Sequence, residues 1–265
     1  MAVRDGRDEW RKRRFYQKPR QQAAGRQSFA VIHQDDDILC VAKPGDMLVN
    51  MGRDDELTLQ HHVRKHVPRS KAKDAVDASA VHRLDRHTSG LVLFGRTQRA
   101  LEALHEMIRR GEIEKYYAVL TCGVPREREG EIDAPLEEHG EVRGRRVRVS
   151  DDDDAMEALT HYKVEERWGD IALLNVRIFT GRSHQIRVHL AHINCPVAGD
   201  KVYGDKAGNR YLREKMSLDR QFLHAKRLVF THPFTGKRMD LTAKLPKELA
   251  NVLKKLGDTE KANQK

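Results

Sequence analysis

The chain predicts an α+β fold: a mixed, mainly antiparallel sheet with flanking helices. Three observations lead there. Strand-like apolar runs outnumber helical stretches, the two kinds show no regular βα alternation, and the long runs "THYKVEERW" and "IALLNVRIF" are parted only by Gly169-Asp170. A two-residue turn of that kind joins antiparallel neighbours, whereas parallel strands need a long crossover.

The elements follow in order. "DILCVAK" (37–43) predicts a short buried strand, stopped by Pro44-Gly45. "LTLQHHVRKHV" places Leu59, Val63 and Val67 at four-residue spacing, as on one face of a helix. "LVLFG" (91–95) reads as a second strand. In the next helix Thr97 is the cap, Leu101, Leu104 and Ile108 share a face, and Gly111 ends it. "YYAVLT" (116–121) resumes strand character, the Gly169 hairpin follows, and "SHQIRVHLAHI" returns to helical spacing through Ile186, Leu190 and Ile193. Asp151 to Asp154 repel one another, which predicts an exposed hairpin tip. No internal repeat is present.

Length and charge set the organisation. With 265 residues the chain can bury a full core, and its formal net charge is +10. Residues 1–28 carry nine Lys/Arg against three Asp/Glu, and residues 254–265 carry four against two. The expected arrangement is therefore a flexible basic arm (1–28), a folded domain (29–253) and a charged tail (254–265). A basic arm on a nearly neutral body suits a polyanion, by counterion release, or serves as a solubilising tail. Cys40, Cys122 and Cys195 form no CxxC pair, and the sequence shows neither a signal-like start nor a membrane-length apolar run. A cytoplasmic protein is expected.

Phosphate loops of the GxxxxGK[ST] and GxGxxG kinds are absent, which removes the main support for nucleotide-driven and dinucleotide chemistry. His189 and His192, at i,i+3 with Cys195 nearby, match no strong zinc pattern and read as hydrogen-bonding or RNA-contacting groups; no metal is expected. The stretch "VHRLDRHTSG" (81–90) is more pointed, because it sets Asp85 alone among arginines and histidines. Such a carboxylate keeps its charge, so it suits a nucleophile better than a general acid. From the residues alone, a turn cap or a salt-bridge partner of Arg83 or Arg86 is the favoured reading.

"HRLDRHTSGLVLF" resembles the catalytic motif of the RluA-type family of RNA pseudouridine synthases. Further segments resemble that family in the same order: "ILCVAKPGDMLV", "EKYYAVLTCG", "TGRSHQIRVHLAHINCPVAGDKVYG" and "FLHAKRLVFTHPFTGK". The resemblance spans about 29–246 and implies the family's catalytic fold, with no cofactor. It implies isomerisation of a uridine in tRNA or rRNA, with Asp85 as nucleophile, Tyr116 stacked on the target base and Arg187 paired with Asp85. It places Ile186 beside that pair and Arg83 in the gap left by the extruded nucleotide. Arg86, Lys115, Arg182 and His184, in or beside the same motifs, are read as further RNA contacts. Tyr116 as an ordinary strand aromatic and Arg187 as a phosphate contact are the alternatives.

The chemistry explains those residue types. A stacked uridine hides its glycosidic bond, so it must be flipped out, at a cost of a few kcal/mol that an aromatic face partly returns. Arginine holds a carboxylate at two points and keeps its charge when buried. The sequence resembles the compact family members, without an N-terminal S4-type domain, and a monomer is expected. A non-catalytic RNA-binding or folding factor on the same scaffold is the alternative function.

Overall fold

The computed structural model describes residues 29–50, 57–140 and 146–263. The expected arm, 1–28, lies outside the described residues.

The first half of the chain lays down β1 (Ala30–Gln34), β2 (Ile38–Lys43), α1 (Leu59–His66), β3 (Ala75–Ala80), β4 (Ser89–Thr97), α2 (Gln98–Arg109) and β5 (Glu114–Cys122). Next come β6 (Glu129–Asp133), β7 (Leu136–His139), β8 (Arg146–Val149), β9 (Leu159–Trp168) and β10 (Ile171–Ile178). The last part holds α3 (Gln185–His192), α4 (Lys206–Tyr211), a π-helical turn (Leu212–Met216), β11 (Leu223–Thr231), β12 (Arg238–Thr242) and α5 (Lys247–Asn263).

Ten strands make one sheet along the path β1-β2-β4-β11-β5-β10-β9-β6, with β12 on β11 and β3 on β4. Its pairs are antiparallel except β4 with β11, where His224 and Ala225 face Ser89 and Gly90. The α+β expectation holds. The predicted hairpin is β9–β10, turning at Gly169 with φ +56°. The predicted cap also forms, since the Thr97 hydroxyl accepts from Ala100 N–H.

Strand alternation divides the core into two layers. In β4, Val92 and Phe94 join a cluster with Val41, Tyr117, Val119 and Ile186; Leu91 and Leu93 face the opposite way, under Leu104 of α2. In β5, Leu120 packs with Leu173 and with Leu249, Val252 and Leu256 of α5.

Two expectations are corrected here. The boundary at 253 does not separate a tail, because α5 runs on to Asn263 and buries Leu256 to 3% exposure; a one-turn-spaced apolar stripe outweighs the polar composition. Asp151 to Asp154 are exposed but form the turn after β8, whereas the β7–β8 hairpin closes earlier. Ser150 Oγ and Arg148 donate to Asp152 there.

Candidate active site

Where β4 begins, the chain must pass β11 with no room to spare. Gly90 has φ +117°, and a Cβ there would collide with the Ala225 carbonyl, so only glycine lets the two strands meet. The residues just before it form a loop pinned from β11 and the segment leading into it. Arg220 donates to His87 O (2.8 Å) and to Ser89 Oγ (3.1 Å), Gln221 donates to Thr88 Oγ1 (2.7 Å), and His224 Nδ1 lies 3.0 Å from Ser89 Oγ.

A buried lysine braces the loop on its other side. Lys43 Nζ donates to the carbonyls of Pro44 (3.0 Å), Met47 (2.7 Å) and Arg86 (3.0 Å). Burial, followed by the charge of Arg220, brings its pKa down to about 7. These contacts fix the backbone on both sides of Asp85.

The Asp85 side chain is 23% exposed, and its Oδ2 accepts from Arg187 Nη1 at 2.9 Å. Arg187 comes from α3 and is buried. Its Nε and Nη2 form a fork on Asp200, at 2.6 and 3.0 Å to Oδ2 and Oδ1. One guanidinium thus ties two carboxylates together, one at a cleft and one with no exposed side-chain surface. Burial works against the Arg187 cation and against the Asp200 anion, but their pairing outweighs it: Arg187's pKa rises and Asp200's falls. Val202 and Tyr203 N–H also donate to Asp200 Oδ1. The preceding Gly199, at φ +77°, cannot carry a Cβ without striking the Arg220 carbonyl.

His184, just before α3, has φ +54°, a left-handed conformation unusual for a residue with a Cβ. Its Nδ1 lies 2.9 Å from the Tyr203 hydroxyl and its Nε2 4.0 Å from Asp85 Oδ2. Burial lowers its pKa, which keeps the ring neutral at pH 7. The Tyr203 ring in turn lies 5.0 Å from the Arg187 guanidinium.

Asp85 opens onto a small cleft of about 80 Å³. Its apolar walls are Tyr117, Ile178, Ile186 and Leu223, and its polar rim includes Arg83, Arg182 and His184. Of the residues the sequence singled out, Asp85, Arg187, Arg83, Ile186, Arg182 and His184 therefore come together. Three do not.

Tyr116 is the main correction. Adjacent residues of a strand point to opposite faces, and it is Tyr117 that enters the cleft. Tyr116 lies on the other face, between Arg177 and Arg227, with its hydroxyl donating to Glu114 at 2.7 Å. Burial first, then the Asp85 charge, raises the pKa of Tyr117, so it stays a neutral phenol. Lys115 is 8% exposed and does not line the cleft, and Arg86 contributes a carbonyl to Lys43 rather than a cleft wall.

The His189–His192 pair also resolves. His189 is fully buried with its ring nitrogens at 2.9 Å from Thr160 Oγ1 and from Ala134 O, so both already have partners. Asp200, Tyr203 and Tyr117 were not singled out by sequence reasoning, although all three lie inside segments that carry the family resemblance.

The model of the family described as RNA pseudouridylate synthase matches residues 37–192, more than half of the sequence. The chain belongs to that family. Among its relatives, an RNA pseudouridine synthase of Chloroflexus aurantiacus is 42% identical over 178 residues, covering 67% of this chain and 53% of the relative. Ribosomal large subunit pseudouridine synthase C of Escherichia coli is 37% identical over 228 residues, 85% of this chain and 69% of the relative. Synthase D of Xanthomonas campestris is 33% identical over 233 residues, with the same two coverages. This chain thus spans between about half and seven tenths of those relatives. Among solved structures, human RNA Pseudouridylate Synthase Domain Containing 4 matches with a TM-score of 0.69 and 25% identity, over 86% of this chain and 93% of that one.

Proposed function

We propose that this chain isomerises a uridine within structured RNA to pseudouridine, without a cofactor, using Asp85 as the nucleophile. The observation that carries the reading is the Asp85–Arg187 contact at the mouth of a cleft walled by Tyr117, Ile178, Ile186 and Leu223. A charged carboxylate at the edge of an apolar slot is placed to meet a flat base turned out of its stack.

In the reaction the bond from uracil N1 to the ribose breaks, the base turns, and C5 bonds to the same sugar carbon. C5 gives up a proton and N1 gains one, so nothing is oxidised or reduced. Asp85 supplies the electron pair that holds the reacting fragment. Arg187 orients that carboxylate. Tyr117, in place of Tyr116, offers the face on which the uracil stacks, while Ile178 and Ile186 keep the slot dry. Arg83 fills the gap left in the RNA, and Arg182 contacts a phosphate. The names of the Escherichia and Xanthomonas relatives favour a uridine of large-subunit ribosomal RNA over one of transfer RNA.

Asp85→Asn tests the reading. The variant should fold and bind RNA like the parent while pseudouridine formation drops by more than about 1,000-fold. Turnover near the parent's would rule out the nucleophile. Mapping pseudouridine across total RNA with and without the gene then identifies the substrate, and a lost site in transfer RNA alone would reject the ribosomal assignment.

A further inference from the structure

A second concavity lies apart from the cleft at Asp85. It is a trough of about 900 Å³ between the β9–β10 turn, α4 and the end of α5. Trp168 and Tyr211 contribute its aromatic surfaces, and Asp170, Asp205 and Glu260 its charges; among the described residues no lysine, arginine or histidine lines it. That lining is unexpected on a chain with a formal charge of +10. The reaction proposed above leaves the trough without a role, and its three carboxylates would repel RNA phosphates.

We infer that this trough docks a lysine- and arginine-rich peptide segment of a partner protein. Charge complementarity names the chemistry. Cations that sit over the faces of tryptophan and tyrosine gain a further attraction, largest for tryptophan. Tyr211 is 44% exposed, so such a face is accessible from solvent. Shape argues for a segment rather than a compact amine. The three carboxylates belong to three separate elements: Asp170 to the hairpin turn, Asp205 to the cap of α4 and Glu260 to the last turns of α5. Asp170 and Asp205 are exposed and the trough is open to solvent, so a chain with spaced cations can lie along it.

The test uses the full chain carrying Trp10→Phe, which leaves Trp168 as its one tryptophan. The probe is a ten-residue peptide of alternating arginine and serine, followed by Trp168 fluorescence. Saturable binding is expected, weakened at least about tenfold between 50 and 500 mM NaCl by screening. Asp170→Asn/Asp205→Asn/Glu260→Gln should reduce affinity at least about tenfold while pseudouridine formation stays at the parent's rate. Asparagine still caps α4, so the melting temperature should change little. The inference fails if the peptide gives no saturable signal, if the triple variant binds it equally well, or if a single-stranded RNA of the same length saturates the Trp168 signal as tightly.

Discussion

The cleft at Asp85 and the trough beside α4 and α5 differ in an instructive way. The trough has more than ten times the volume of the cleft, 900 against 80 Å³, yet its charged groups stand apart on separate elements. In the cleft, polar groups from separate parts of the chain converge on Asp85 and the loop that carries it. Asp85 is held by Arg187 of α3, Arg187 by Asp200, and the loop backbone by Lys43 and Arg220. Room and reactivity are therefore independent properties of a surface. Convergent, buried, mutually compensated charge marks the place where chemistry is prepared, and open volume marks a place where something can rest.

That contrast is most sharply tested at Asp200. Asp200→Asn leaves the buried Arg187 with half its compensation, and should lower stability by about 3–5 kcal/mol and turnover by at least about 100-fold. Urea denaturation and a tritium-release assay would read the two effects. An unchanged rate would mean that the convergence at Asp85 is packing alone.

The two tyrosines give the next largest effect. Tyr117→Leu should reduce turnover by roughly 10- to 100-fold, in line with about 1–3 kcal/mol for a base–aromatic stack. Tyr116→Leu should change it less than about threefold. Equal losses would erase the distinction between the two faces of β5.

Acid separates the concavities as well, because His184 lines the cleft and, among the described residues, no histidine lines the trough. Burial lowers the pKa values of His184, His189 and His224 below the ordinary 6.5. Below pH 6.5 the unfolded chain then binds more protons than the folded one, so stability must fall with pH. The slope reaches at most about 1.4 kcal/mol per pH unit for each such histidine. Urea midpoints from pH 7 down to pH 5 would show it, and His189→Gln should flatten the curve. The smallest effect is expected at the trough itself, where Trp168→Ala should leave pseudouridine formation within about twofold.

Much of this was legible in the sequence, for identifiable reasons. β2, β4, α2 and the β9–β10 hairpin announce themselves because local spacing, a threonine cap and a Gly-Asp turn are short-range signals. Asp85 and Arg187 were paired through family resemblance, since 102 positions separate them and no local pattern links them. The family resemblance points to Tyr116, two residues before Ala118, but with two adjacent tyrosines a strand's pattern alone does not say which face the core covers. Packing over the sheet decides it: Tyr117 shares the cleft with Ile178, Ile186 and Leu223, and Tyr116 lies by Arg177 and Arg227. Asp200 carries no sequence signal of its own, because its role depends on the fork it accepts from the buried Arg187. The end of α5 read as a tail because Leu256 stands among lysines, aspartate and glutamate.

The divided grip of Arg187 has one more consequence. When Asp85 forms a covalent bond in the proposed reaction, its negative charge leaves the carboxylate beside the guanidinium and passes to the uracil. An arginine with a single partner would be stranded at that moment, a bare cation in a nearly dry interior. Because Asp200 keeps two of the three nitrogens, the enzyme can let its nucleophile change chemical form while the scaffold behind it remains electrically at rest.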